Sequence, residues 1–157
     1  MAKRVIRTDE DPLLRKKSRE VTKFDDRLKE LIQDMFETMD EAPGVGLAAP
    51  QVGILKRVIV IDDREEVNRK RMYMINPVIT HKEGKAVDLE GCLSVPLKQG
   101  TVERATNIDV EYMDIDGNKK SLNATDFFAR IIQHEVDHLD GILFTDKAID
   151  IYLPEEG

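Results

Sequence analysis

Two of the chain's three histidines, His134 and His138, stand four residues apart within ATDFFARIIQHEVDHLD, a run whose apolar residues recur at helical spacing. Residues four apart lie on one face of a helix, so both imidazoles converge on a single ion. That face continues from Phe127, Phe128 and Ile131, which ties a polar pair to the apolar side of the helix. Glu135 projects about 100° round from His134 at 3.6 residues per turn. From there it does not join the imidazoles on an ion, but it reaches a water held by that ion. His-Glu-x-x-His on a helix is the arrangement of two metal ligands and a general base. The plain alternative is two partly buried histidines with local hydrogen-bond partners. Asn123 is the candidate cap of this helix, and Gly141 takes the usual place just past its end.

Upstream, Leu28, Leu31, Ile32, Met35, Phe36 and Met39 recur at three- and four-residue intervals and predict a second amphipathic helix. Asp25 or Asp26 caps its start, and Pro43-Gly44 ends it. The glycines and Pro50 of GVGLAAPQVG (44–53) disfavour a regular element. VIVID (58–62) reads as a short β-branched strand, and the charge-alternating DDREEVNRKR (62–71) as a solvated loop. Residues 72–80 and 85–90 read as strands joined through Glu83-Gly84. Residues 107–115 alternate, and Asp116-Gly117 turns them back into KKSLN (119–123) as a hairpin. Strands in the middle and helices at both ends predict an α+β fold, in one domain spanning residues 1–157.

With 24 Lys+Arg against 31 Asp+Glu the net charge is −7, which argues against general binding to nucleic-acid phosphates. No apolar run approaches the ~20 residues that span a bilayer, so no membrane association is expected. The basic N-terminus lacks the apolar stretch of a signal peptide. Cys92 is the sole cysteine, so no internal disulfide forms and a reducing, cytoplasmic location is expected.

A catalytic metal site needs a third protein ligand and one open position. Asp140, Asp146 and Asp150 follow the helix, and Cys92 precedes it in Glu90-Gly91-Cys92-Leu93-Ser94. A lone cysteine is ordinarily a small buried apolar residue. Here Gly91 permits a close backbone approach, and the acidic, polar setting is unusual for a core cysteine. Thiolate with two imidazoles suits Zn2+ or Fe2+. His81, beside Lys82 and Glu83, reads as a surface residue.

GVGLAAPQ (44–51), EGCLS (90–94) and QHEVDHLDG (133–141), in that order, resemble the three signature motifs of peptide deformylase. The similarity runs from DPLLRKKS (11–18) to the segment after Gly141. The resemblance implies an α+β fold whose central metal-bearing helix packs against antiparallel strands, with an N-terminal helix beside it. It implies removal of the formyl group from the N-terminal formyl-methionine of nascent chains, with release of formate. By position, Cys92, His134 and His138 correspond to the metal ligands, Glu135 to the acid/base, and Gln51 with the Leu93 N–H to the oxyanion site. Gly46 falls where family members meet the substrate backbone, and Val45, Leu47, Phe127 and Ile131, with Gly91, fall around the methionine side chain. Arg104 corresponds to an arginine that pairs with the glutamate at Glu90. The resemblance favours Fe2+ in the cell, with Zn2+ or Ni2+ after purification.

The chain departs from the family pattern in two places. Residues 97–101 read LKQGT, where many members place an aromatic residue or an arginine that touches substrate, so Gln99 is a weaker clamp. Pro154, in the 16 residues after Gly141, opposes the long C-terminal helix that docks some members on the ribosome. Two other readings compete: a metallopeptidase using a downstream carboxylate in place of Cys92, and a non-catalytic metal-binding module.

Overall fold

The computed structural model describes residues 3–153; Pro154, with its bearing on a docking helix, lies outside them, as do Met1 and Ala2. The helix α1 (Asp26–Glu41) begins where the Asp25 carboxylate accepts the Leu28 N–H, and it stops just ahead of Pro43. Its stripe Leu28, Leu31, Ile32, Met35 and Met39 is buried, each side chain contributing roughly 1.5–3 kcal/mol. There follow β1 (Gly46–Ala48), β2 (Val58–Asp62), β3 (Arg71–Glu83), β4 (Ala86–Cys92), β5 (Val95–Arg104), β6 (Asn107–Met113) and β7 (Lys119–Thr125). Then come α2 (Asp126–Leu139), the single turn α3 (Phe144–Lys147) and β8 (Asp150–Tyr152).

The strands form two antiparallel sheets, ordered β1-β2-β3-β6-β7 and β4-β5-β8. Side chains on a strand alternate between faces, and β2 shows why its run is continuously apolar. Val58 and Val60 pack into the cluster that holds α1, whereas Ile59 and Ile61 pack into the cluster that holds α2. The large sheet is thus covered on both faces. The other side of α2 meets the small sheet, where Arg130 donates to the Val102 and Ala86 carbonyls. Past its C-terminus, Ile142 N–H bonds to Asp137 O and Gly141 N–H to His138 O, the pairing of a Schellman stop. Gly141 has φ +75°, and a Cβ there would collide with the Arg15 carbonyl, so the turn requires glycine.

Three expectations need correction. Asn123 does not cap α2: it lies in β7 and its amide bonds to Asn107, Ile108 and Asp109 of β6, while Thr125 takes the cap position. GVGLAAPQVG is regular after all, with β1 running into a 3-10 turn (Ala49–Val52). The strands on either side of Glu83-Gly84 are joined there as expected, and each pairs elsewhere: β3 with β6 and β4 with β5. Asp62, at the start of the charged block, is fully buried beneath Arg69 and Arg71. Among the described residues no helix is long and apolar enough to cross a membrane.

Candidate active site

Helix α2 carries His134, Glu135 and His138 inward between the two sheets, and all three are buried. Cys92 ends β4, where the Leu93-Ser94 turn leads into β5. The ligand atoms of Cys92, His134 and His138 lie within 4.8 Å of one another, with Cys92 Sγ 3.2 Å from His138 Nε2. Asp140 and Asp146 are instead paired with Arg57 and Arg15. Of the downstream carboxylates, none joins the cluster. His81 is exposed and pairs with Glu83.

Glu90 fixes the orientation of His134. It accepts from Arg104 Nε and Nη2 at 2.9 Å each, from Arg130 Nη1 at 2.6 Å, and contacts His134 Nδ1 at 2.8 Å. Burial opposes its charge, but the His134 and Arg104 partners outweigh burial and hold the carboxyl well below its usual range. An ionised carboxylate only accepts, so His134 Nδ1 carries the proton and Nε2 is left to face the cysteine and Glu135. This is the arrangement by which a second layer of groups aims a ligand imidazole. Arg104 passes the chain of contacts on to Asp137 at 2.6 Å, and Lys147 caps Asp137 at 3.0 Å.

Burial disfavours charge on His134, yet Glu135, Cys92 and Glu90 together push its pKa well above the ordinary value. Burial and the neighbouring His134 charge push His138 well below. Burial also raises Glu135 to about 7, where a carboxylate both takes and returns protons at neutral pH. Glu135 Oε1 and His138 Nδ1 are buried with no hydrogen-bond partner. Unpartnered buried polar atoms are rare in structural positions and mark groups with work outside the fold.

Gln51 sits in the 3-10 turn after β1. Its Oε1 accepts the Ala48 N–H, and its Nε2 lies 3.0 Å from Ser94 Oγ and 3.6 Å from Cys92 Sγ. Beside the cluster opens a cavity of about 560 Å³ whose lining includes Val45, Gly46, Gly91, Leu93, Phe127 and Ile131. A Cβ on Gly46 would lie 2.6 Å from Glu135 Oε2, so only glycine lets β1 pass over that carboxylate. Gly91 is different: a Cβ there would meet only Gln99 Cγ at 3.8 Å, and nothing in the chain crowds it. Leu47 does not reach the cavity. Alternation along β1 turns it to the α1 side, where it is fully buried in the core.

Sequence reasoning missed Arg130, which lines the cavity and holds Glu90. Its position one turn before His134 on the inward face was the available signal. The Glu90–His134 contact was also missed, since Glu90 was read only as Arg104's partner.

A sequence model of the family described as polypeptide deformylase matches residues 3–152. A peptide deformylase of Finegoldia magna is 53% identical over 152 residues, covering 96% of this chain and 93% of the relative. Peptide deformylase 1 of Clostridium acetobutylicum is 56% identical over 147 residues, covering 94% and 95%. The crystal structure of peptide deformylase from Thermotoga maritima superposes with a TM-score of 0.88 at 41% identity, over 94% of this chain and 99% of that one. A cluster of two buried histidines and the half-buried Cys92 beside Glu135, in a fold shared at that level of identity, leads to one conclusion: the chain belongs to the peptide deformylase family, metal-dependent hydrolases that remove the N-formyl group from nascent polypeptides.

Proposed function

We propose that Cys92, His134 and His138 hold the one metal ion of this hydrolase, that Glu135 is its general base and acid, and that Gln51 and the Leu93 N–H stabilise the oxyanion. The observation that carries this reading is the convergence of three ligand atoms within 4.8 Å beside the unpartnered Glu135 Oε1. The donor set fits a divalent cation: thiolate and two imidazoles are the ligands of Zn2+ and Fe2+ sites. We take Fe2+ as the ion in the cell, with Zn2+ or Ni2+ as occupants after purification. When bound, such a cation acts as a Lewis acid that makes water a nucleophile at neutral pH.

Glu135, buried beside the ligand cluster, accepts the proton of the attacking water as its oxygen bonds to the formyl carbon. The formyl oxygen, gaining negative charge, accepts hydrogen bonds from Gln51 Nε2 and the Leu93 N–H. Glu135 then delivers the proton to the amide nitrogen, the C–N bond breaks, and formate and a free amine leave. β1 is the outermost strand of its sheet, and we place the extended substrate backbone along its free edge at Gly46. The methionine side chain then enters the cavity between Val45, Phe127 and Ile131, with Gly91 facing it. A formyl carbon bears only hydrogen, so a tight site admits it and excludes bulkier acyl groups. We assign the activity to the cytoplasm, on N-formylmethionyl peptides and nascent chains, with no nucleic-acid contact of its own.

The test is formate release from formyl-Met-Ala by protein purified without oxygen and loaded with Fe2+. Release at one metal per chain is expected, with Cys92→Ala losing metal and turnover together. Full metal content in Cys92→Ala would hand the third ligand to a carboxylate. Full metal with no release from any formyl-Met peptide would leave a binding module.

A further inference from the structure

The charged block 62–71 does more than face solvent. Asp62 is fully buried, with Arg69 and Arg71 paired to it. Arg71 also grips Asp40 of α1 through Nη1 at 2.8 Å and Nη2 at 2.9 Å. Between these sits Arg64, whose N–H donates to Asp62 Oδ1 at 3.0 Å and whose φ is +56°, a region that residues other than glycine seldom adopt. Its side chain turns back toward the cavity rim: Nε donates to the Gly44 carbonyl at 2.7 Å, and Nη2 reaches Asp40 at 3.3 Å. Arg64 is one-third exposed and belongs to none of the apolar clusters.

The rim it grips has no slack. Gly44 N–H donates to Met39 O at the end of α1, and Asp62 N–H donates to Val45 O. A Cβ on Gly44 would lie 2.8 Å from Leu93 Cδ1, and one on Gly46 would strike Glu135. Leu93 and Glu135 thus limit inward movement of residues 44–46, which leaves the Arg64 contact to fix the outer edge itself.

We propose that Arg64 is a positioning residue that clasps the Gly44 carbonyl and so holds the free edge of β1 in register to receive the peptide backbone. The inference rests on the reading that substrate lies along that edge. A charge-assisted hydrogen bond to a carbonyl is of the strength needed to fix such an edge, and where a peptide adds to a strand edge the main-chain hydrogen bonds carry its affinity, so a displaced edge is felt in binding.

The experiment compares Arg64→Ala, Arg64→Gly and Arg64→Lys with the wild type, each loaded with metal and checked for thermal stability. Arg64→Gly keeps the left-handed backbone without strain, so it removes the side chain alone even if Arg64→Ala disturbs the loop. The expected result is a KM for formyl-Met-Ala-Ser raised roughly tenfold in Ala and Gly, with kcat within about twofold and metal content unchanged. Arg64→Lys falls between, and amide exchange at Val45 and Gly46 quickens in Ala and Gly. A KM within about twofold of wild type with unchanged exchange in Arg64→Gly overturns the proposal, as does an equal fall in kcat with loss of metal. Absence of formate release in the wild type would count against the assigned chemistry, while the exchange data would still decide for or against the clasp.

Discussion

The two long helices flank the same sheet and differ in what they bury. α1 presents Leu28, Leu31, Ile32, Met35 and Met39 to the sheet, and its buried Asp34 and Thr38 are satisfied at the helix surface by Arg4 and by backbone. α2 presents Ala129, Ile131, Ile132 and Leu139, but among them it buries Arg130, Gln133, His134, Glu135 and His138. Burying polar groups is unfavourable unless each finds a partner. Arg130 finds Glu90 and two carbonyls, Gln133 finds the Ala105 backbone on both sides, and His134 finds Glu90. Glu135 Oε1 and His138 Nδ1 find none. One helix is selected for packing alone. The other carries a polar network, and of its two loose ends Glu135 Oε1 is the one assigned to the chemistry, since His138 meets Cys92 through Nε2.

The sharpest way to break that contrast is Glu90→Gln. It leaves Arg104, Arg130 and His134 around a neutral amide, so stability falls by about 3–5 kcal/mol and metal affinity by roughly 10–100-fold; denaturant unfolding and metal titration read both. The matching change on the other helix is Met35→Ala, at a fully buried position. It lowers stability by about 2–5 kcal/mol and leaves kcat and metal content as they were. A change in kcat there would show that α1 is not a passive support.

The smallest effect is a pH dependence. Burial raises Glu135 to about 7 in the metal-free chain, so the folded state keeps a proton that the unfolded chain releases near its ordinary carboxylate value. Stability of metal-free protein therefore falls as pH rises from that value to about 7, then levels off. Glu135→Gln removes this loss. The metal-free variant gains up to about 3 kcal/mol on the wild type between pH 5 and pH 8, read by urea unfolding at each pH.

What was legible in the sequence follows the same division. α1, β2, the β6–β7 hairpin at Asp116-Gly117 and the end of α2 at Gly141 are readable because periodic burial or turn chemistry writes them locally. β5 is not: VPLKQGTVER exposes Pro96, Leu97, Lys98 and Gln99 in succession, and no alternation announces a strand whose partners are β4 and β8. The split between the two sheets at Glu83-Gly84 depends on long-range pairing that no local window contains. In the site, helical spacing alone brings His134 and His138 together, and Cys92 stands out by its Gly-flanked polar setting beside the downstream carboxylates as rivals, whereas Gln51 and Leu93 follow only from family resemblance. Arg130 and the buried Asp62 escaped because a charge in a sequence reads as solvent-facing, and only the fold reveals its partner. Leu47 follows from the family position, but alternation along β1 turns it away from the cavity and into the α1 core.

The most direct test of the central claim, that Glu135 is the group of α2's buried network that moves the protons, is formate release by metal-loaded Glu135→Ala with metal content measured in the same sample. One metal per chain, a near-wild-type fold and turnover reduced by roughly 10²–10⁴-fold are the predicted result. Near-normal turnover at full metal would contradict it.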